Sequence, residues 1–201
     1  MQNWLKTIHL EGDLVKLIPL EKAHKEALLE AAADGELWQY WYTSVPDASK
    51  IDSYLDFALK EHRAGRGQTF SVLLKESGKI IGCTRYYNAT PEHRRLEIGY
   101  TWYAQSQQRT GVNTECKYLM LQYAFEELDA IAVQFMTNWF NFKSRNAILR
   151  IGAKQDGILR NHRINPDGSF RDSVVFSIVR DEWKMVKKAL SFERQRVRKI
   201  E

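Results

Sequence analysis

The sequence of 201 residues predicts one α/β domain on a mixed central β-sheet flanked by helices, and three features of its pattern carry that expectation. An apolar-alternating run over 94–103 leads through a polar loop into a long amphipathic helix and then into a second alternating run over 131–137. A strand–helix–strand order with a crossover of this length implies a parallel pair. Two further pairs of β-rich runs, 69–74 with 79–87 and 156–164 with 170–179, are joined by turn residues and imply antiparallel hairpins. The length suits a single core, and no repeat, low-complexity segment or interdomain linker divides it.

Taken in order, 14–18 is a short strand stopped at Pro19. Leu20, Ala23, Ala27, Leu28 and Ala31 then mark one face of a helix over 20–33. An aromatic cluster at 38–42 forms a loop or a broken helix. Asp47 or Ser49 caps the next helix, whose stripe is Ile51, Tyr54, Leu55, Ala58 and His62 and whose end is marked by Gly65 and Gly67. On that stripe His62 reads as a packed or half-exposed side chain. Glu76-Ser77-Gly78 turns the first hairpin, and 88–93, with Pro91, makes the next turn. Alternation along 94–103 puts Leu96, Ile98, Tyr100 and Trp102 on one face and Glu97, Gly99, Thr101 and Tyr103 on the other.

The central helix shows its apolar face at Val112, Cys116, Leu119, Met120, Tyr123, Ala124 and Leu128, with Asn113 or Thr114 as cap. After a loop over 138–142, a short helix over 144–151 ends at Gly152. Asn165-Pro166-Asp167-Gly168 suits the tight turn of the second hairpin. A closing amphipathic helix starts at Asp181 and runs through Trp183, Val186 and Leu190. The basic tail over 191–201, with Arg194, Arg196, Arg198 and Lys199, reads as a solvated or frayed helix end.

Composition excludes more than it selects. Hydrophobic content of 44% and charged content of 27% are those of a soluble globular protein. No apolar run is long enough to cross a bilayer, and the N-terminus lacks the apolar core of a signal peptide, so a cytoplasmic protein without membrane contact is expected. Cys83 and Cys116 fall in a strand and a helix with no partner at metal spacing; they read as reduced packing residues, and no metal is expected. The net charge of +5 is compatible with nucleic acid, with an anionic cofactor or with neither.

The chemistry is sought where the strand over 94–103 meets the central helix. A helix start leaves backbone N–H groups without internal partners, adds partial positive charge, and so binds anions, phosphate above all. Gly111 lets the main chain approach a ligand closely or take positive φ, and Arg109 adds a fork-shaped cation. Many ordinary strand-to-helix connections contain a glycine and bind nothing, so this stretch alone favours no ligand.

Gln108-Arg109-Thr110-Gly111-Val112-Asn113 resembles the Gln/Arg-x-x-Gly-x-Gly/Ala signature of the GNAT superfamily of acetyl-CoA-dependent N-acetyltransferases. Glu97-Ile98-Gly99-Tyr100, Asn113-Thr114-Glu115, Asn141-x-x-Ser144, Gly152-Ala153 and Gly157-x-Leu159-Arg160 are similar to the Rim-type branch, which acetylates ribosomal-protein N-termini. The likeness runs over about 14–183. It departs at Asn113, where the family has Gly or Ala; a side chain there either caps the helix or crowds the pyrophosphate.

The resemblance implies a single GNAT-like domain whose sheet splays at its parallel pair, with acetyl-CoA as cosubstrate and an amine as acceptor. It implies cofactor contacts at Trp102, Tyr103, Ala104, Gln108, Arg109, Thr110, Gly111, Val112, Asn113, Thr114, Asn141 and Ser144, with a backbone N–H near 102–104 as the oxyanion donor. Glu97 is the candidate base, acting through a water, and the alternative is an ion pair with Arg94 or Arg95. Ser144 is the candidate acid for the leaving thiolate; it equally suits a helix N-cap. Trp38, Trp41 and Tyr42, read from the residues as a core plug or a pocket wall, become with Tyr86 candidate acceptor contacts.

Two other readings remain at this point. One is a non-catalytic CoA-binding sensor on the same fold. The other is a basic nucleic-acid-binding module, which ranks last because no nucleic-acid motif is present. The acceptor is a protein N-terminus or a small amine, and a homodimer through the final hairpin or the exposed aromatics is open.

Overall fold

The computed structural model describes residues 4–197. Leu10–Glu11 (β1) and Val15–Pro19 (β2) open the chain, and Lys25–Ala33 (α1) and Ile51–Arg63 (α2) follow. Gln68–Leu74 (β3), Ile80–Thr90 (β4) and Arg95–Tyr103 (β5) make a meander. Val112–Gln122 (α3) crosses to Ala132–Asn138 (β6), and Phe142–Arg150 (α4), Lys154–Ile164 (β7), Phe170–Val179 (β8) and Arg180–Val197 (α5) complete the order. The eight strands form one sheet in the order β1-β2-β3-β4-β5-β6-β8-β7. Every neighbouring pair is antiparallel except β5–β6, which the strand–helix–strand pattern had required to be parallel.

The sheet is covered on both faces. On one, Val112, Cys116, Met120 and Ala124 pack against Leu96, Ile98, Val133, Phe135, Phe176 and Ile178. On the other, Leu28, Ile51, Leu55 and Ala58 of α1 and α2 cover Cys83, Trp102 and Ala104. Each large apolar side chain so buried stabilises the fold by about 1.5–3 kcal/mol. Before α2, Asp47 Oδ1 accepts the N–H of Ser49 at 2.9 Å and of Lys50 at 3.1 Å, which organises the turn into the helix.

The simple alternation expected along β5 breaks at one place. Cys83 faces Trp102 and Arg85 faces Gly99, so two β5 residues, Tyr100 and Thr101, oppose the single residue Thr84. This is a β-bulge, and Tyr100 sits in it with φ of 50°. The extra residue inverts the side-chain faces beyond it. Leu96, Ile98 and Tyr103 therefore share the α3 side, while Trp102 joins the α1–α2 side.

A second irregularity separates β5 from β6. Their pairing covers only Arg95↔Ala132, Leu96↔Val133 and Glu97↔Gln134. Past that rung β5 runs on to Tyr103 and β6 to Asn138 without facing each other, so the sheet splays into a slit. The β7–β8 ladder also slips between Leu159 and Arg163, where Asn161 has φ of 48°.

The basic tail is more structured than a frayed end. Arg194 lies in α5 with an 18% exposed side chain and pairs with Glu115 Oε1 at 2.7 Å and Asp13 Oδ2 at 2.9 Å. Glu115, 2% exposed, also accepts the backbone N–H groups of Asp13, Leu14 and Val15. The closing helix is thus pinned to α3 and to the loop before β2 through one buried carboxylate. Arg198 and Lys199 lie outside the described residues.

Candidate active site

Parallel strands end on the same side, and β5 and β6 each feed a helix there. The N-termini of α3 and α4 therefore flank one mouth of the slit, the crevice at strand ends where α/β sheets bind ligands.

At α3 the cap is Gly111, two residues before Asn113, the first of the expected caps. The first closing bond runs from Glu115 N–H to Gly111 O at 3.0 Å, and Thr110 Oγ1 accepts the N–H of Val112 at 3.3 Å. Asn113 and Thr114 lie inside the first turn and cap nothing, so capping does not explain Asn113. Their N–H groups have no partner among the described residues and carry the positive end of the helix dipole. Gly111 does not use positive φ; it has φ of −70°, and the left-handed residue is Arg109 at 65°. Thr114 Oγ1 accepts from Arg150 Nη1 at 2.9 Å, which brings the end of α4 to this turn. Gly111 has no side chain and those of Val112 and Thr114 are buried, so at these positions main chain is left to meet a ligand.

Along β5, the N–H of Ala104 donates to Ile81 O at 2.8 Å and is committed to β4. Ala104 is removed as an oxyanion donor. Because N–H directions alternate along a strand, Trp102 is turned the same way and Tyr103 points its N–H into the slit. Gln108 Nε2 donates to Tyr103 O at 3.1 Å, on the following peptide, and ties the strand end to the loop. Beneath it Lys117 Nζ donates to Thr101 Oγ1 at 2.7 Å and Thr84 Oγ1 at 3.1 Å, a staple across the bulge. Burial pulls the Lys117 ammonium down to about 8, against the Cys116 and Cys83 thiols, which raise it. Burial also pushes the Cys116 thiol up to about 12 and raises Cys83, so neither is a ready nucleophile.

At α4, Asn141 is the cap, its Oδ1 accepting the Ser144 N–H at 3.0 Å. Ser144 is therefore not the N-cap, and its hydroxyl has no partner among the described residues. Trp41, 64% exposed, touches Phe140 with ring centroids 5.8 Å apart, and Lys143 lies 5.0 Å from the Tyr40 ring. The aromatic segment thus crosses to the loop after β6. Tyr42 meets Trp41 edge-on, and Trp38 packs into the α1–α2 core. Tyr86 does not join them: it is fully buried on the α3 side and donates to Met120 O at 2.5 Å. With no open surface it forms no acceptor wall.

Glu97 stands at the last paired rung before the splay. Its Oε1 accepts from Asn88 Nδ2 at 2.8 Å, while Oε2 is buried beside Tyr87 with no partner in hydrogen-bond geometry. Neither expected arginine holds it, because Arg94 pairs with Asp129 and Arg95 donates to Gln134 Oε1 at 3.1 Å. The Tyr87 phenol is raised by burial and then by the Glu97 charge.

Sequence reading did not single out Arg150 or Lys117. Their roles come from tertiary contacts that no local pattern encodes.

Residues 15–154 match the acetyltransferase (GNAT) domain family. The Bacillus subtilis (strain 168) protein YdaF, provisionally named a ribosomal N-acetyltransferase, is 27% identical over 146 residues, 72% of this chain and 79% of YdaF. A solved structure from T. thermophilus, provisionally named an acetyltransferase, is 33% identical with a TM-score of 0.82, covering 94% of this chain and 98% of its own. Mycobacterium smegmatis RimJ in complex with CoA-disulfide shares the fold at 20% identity, with a TM-score of 0.78 over 93% of this chain and 95% of RimJ.

Proposed function

The chain belongs to the GNAT acetyltransferase family, an acetyl-CoA-dependent N-acetyltransferase, and from that premise we propose direct acetyl transfer to a primary amine in a ternary complex. The acceptor is the α-amine of a protein N-terminus or a small-molecule amine. The observation that carries this reading is the slit: three rungs of parallel pairing, then two divergent strand ends beside free N–H groups of a helix start.

The residues present suit an acyl thioester on a diphosphate-bearing arm. The N–H groups of Asn113 and Thr114, with Arg109 and Arg150 close by, offer an anion cradle. The unpaired inner edges of β5 and β6 offer main-chain partners to an extended arm. Acetyl-CoA supplies the activated acetyl group, and the protein supplies position, charge stabilisation and proton handling.

Tyr103 N–H stabilises negative charge developing on the carbonyl oxygen. Removing one such donor costs about 2.7–4 kcal/mol. Glu97, whose Oε1 is held by Asn88 and whose Oε2 lies buried beside Tyr87, takes the amine proton through a water. An α-amine with a pKa of about 8 is roughly one-tenth neutral at pH 7, whereas a lysine near 10.4 costs about 3 kcal/mol more to neutralise. A weak base therefore serves an α-amine. Ser144, whose hydroxyl is uncommitted, donates the proton to the departing thiolate. Trp41 and Tyr42 wall the acceptor side. Asn141 holds α4 in register and thereby orients Ser144.

The test is a thiol-release screen with acetyl-CoA over peptides with free N-termini and small amines. Turnover with an α-amine that falls on Glu97→Gln substitution supports the reading. Saturable binding of acetyl-CoA with no turnover across the panel overturns it in favour of a sensor.

A further inference from the structure

Among the described residues, Arg85 is the largest buried side chain with no conventional partner. It is 1% exposed, and its Nε, Nη1 and Nη2 atoms are all buried without a hydrogen bond. It faces the α1–α2 side, opposite its neighbour Tyr86, and pairs in the sheet with Gly99, next to the bulge. Its guanidinium carbon lies 4.2 Å from the Tyr100 ring centroid and 5.3 Å from those of Tyr54 and Phe57. Rings favour a cation but accept none of its N–H bonds conventionally, and arginine cannot shed its charge by deprotonation. A buried cation without an acceptor is a cost that folding alone does not explain.

A second arginine, on another element, shares Tyr100 with Arg85 as a neighbour. Arg171 of β8 has a buried, unpartnered Nε, and Arg163 is its ladder partner on β7. The charge of Arg163 and the phenols of Tyr87 and Tyr100 act on Arg171, and Tyr100 is also the ring nearest to Arg85. Glu61 of α2 is the acid that feels the Arg85 charge, but it is paired with Arg66 at 2.6 Å, and Glu97, on the same sheet face, gives its bound oxygen to Asn88 rather than to either arginine.

We propose that Arg85 and Arg171 form an anion subsite for the acceptor, so that the preferred substrate is an amine carrying a carboxylate or a phosphate. This rests on the acetyltransferase reading above. The subsite lies on the α1–α2 side, beside Glu97 and the start of the slit. An acceptor anchored there by its anion would present its amine to Glu97. Phe57, 47% exposed, is the outer ring of the cage and the one an entering anion displaces. Guanidinium forks match planar carboxylates and phosphate oxygens through paired N–H donors.

The test is calorimetric titration of matched product analogues, run with and without CoA. N-acetylamino acids are compared with their amides, and phosphorylated N-acetylethanolamine with N-acetylethanolamine. The anionic member of at least one pair should bind about tenfold to a hundredfold more tightly, and the pair that shows this identifies the anion. Arg85→Met should abolish the preference. Arg171→Gln, at a less buried site, should weaken it and covers the case in which Arg85→Met does not fold. Equal binding within both pairs, no binding by either anion, or an unchanged preference in folded variants overturns the subsite. If CoA fails to bind while the anion preference holds, the acetyltransferase reading falls and the subsite stands.

Discussion

Replacing Lys117 by methionine should change how stability depends on pH, and the size of the change follows from burial. The ammonium is drawn from 10.5 to about 8 in the folded protein. The unfolded chain therefore binds more protons than the folded one between these values. With a lowered folded pKa on a cation, the penalty is full below about pH 8 and vanishes above about pH 10.5. At 1.36 kcal/mol per unit, the full span is worth about 3 kcal/mol. From pH 7 to pH 9 the wild type should gain about 1.4 kcal/mol relative to Lys117→Met, and about 2.5 kcal/mol by pH 10. Urea unfolding of both proteins at several pH values measures this, because the tyrosines and cysteines titrate in both and cancel. Parallel stability curves from pH 7 to pH 10 would refute the argument that Lys117 is a buried cation under the bulge.

Three contacts give further expectations. Glu115→Ala leaves Arg194 without its most buried partner and three loop N–H groups without an acceptor, so chemical denaturation should show a loss of about 3–5 kcal/mol. Ser144→Ala removes only the hydroxyl, since the helix cap uses the Ser144 N–H. Steady-state kinetics should show kcat reduced by about a hundredfold or more with the KM for acetyl-CoA little changed. Tyr86→Phe should remove one buried hydrogen bond to Met120 O, which still accepts the Tyr123 N–H, costing about 0.5–1.5 kcal/mol in thermal or urea unfolding. Its kcat/KM at a temperature where the variant is folded should stay near wild type.

Much of the fold was legible because it is written in local period. The alternation over 94–103 and 131–137 and the helical stripe between them were enough to require the parallel pair. Gly152 at φ of 93° and Gly168 at φ of 82° fell where a stop and a turn were expected. The two features that make a site were not legible. Nothing in Gly99-Tyr100-Thr101 announces a bulge, because its strained residue is a tyrosine rather than a glycine, and the bulge reversed the faces assigned to Trp102 and Tyr103. The splay came from family likeness alone, since a strand that stops pairing keeps its apolar pattern.

Long-range partners were equally hidden. The Arg194 side chain looked solvated because Glu115 and Asp13 lie far away in sequence, and of the two readings of Glu97, a base or an ion pair with Arg94 or Arg95, sequence could not show that Asn88 holds it. Asn113 and Thr114 were good caps by residue type, but Gly111 already started the helix.

The most direct test is an amide NMR titration of the isotope-labelled protein with CoA. The account predicts that the largest shifts fall on the N–H groups of Asn113, Thr114 and Tyr103, with smaller changes along the inner edges of β5 and β6. Saturating CoA that leaves these amides unmoved, or that moves only residues remote from the slit, would contradict it.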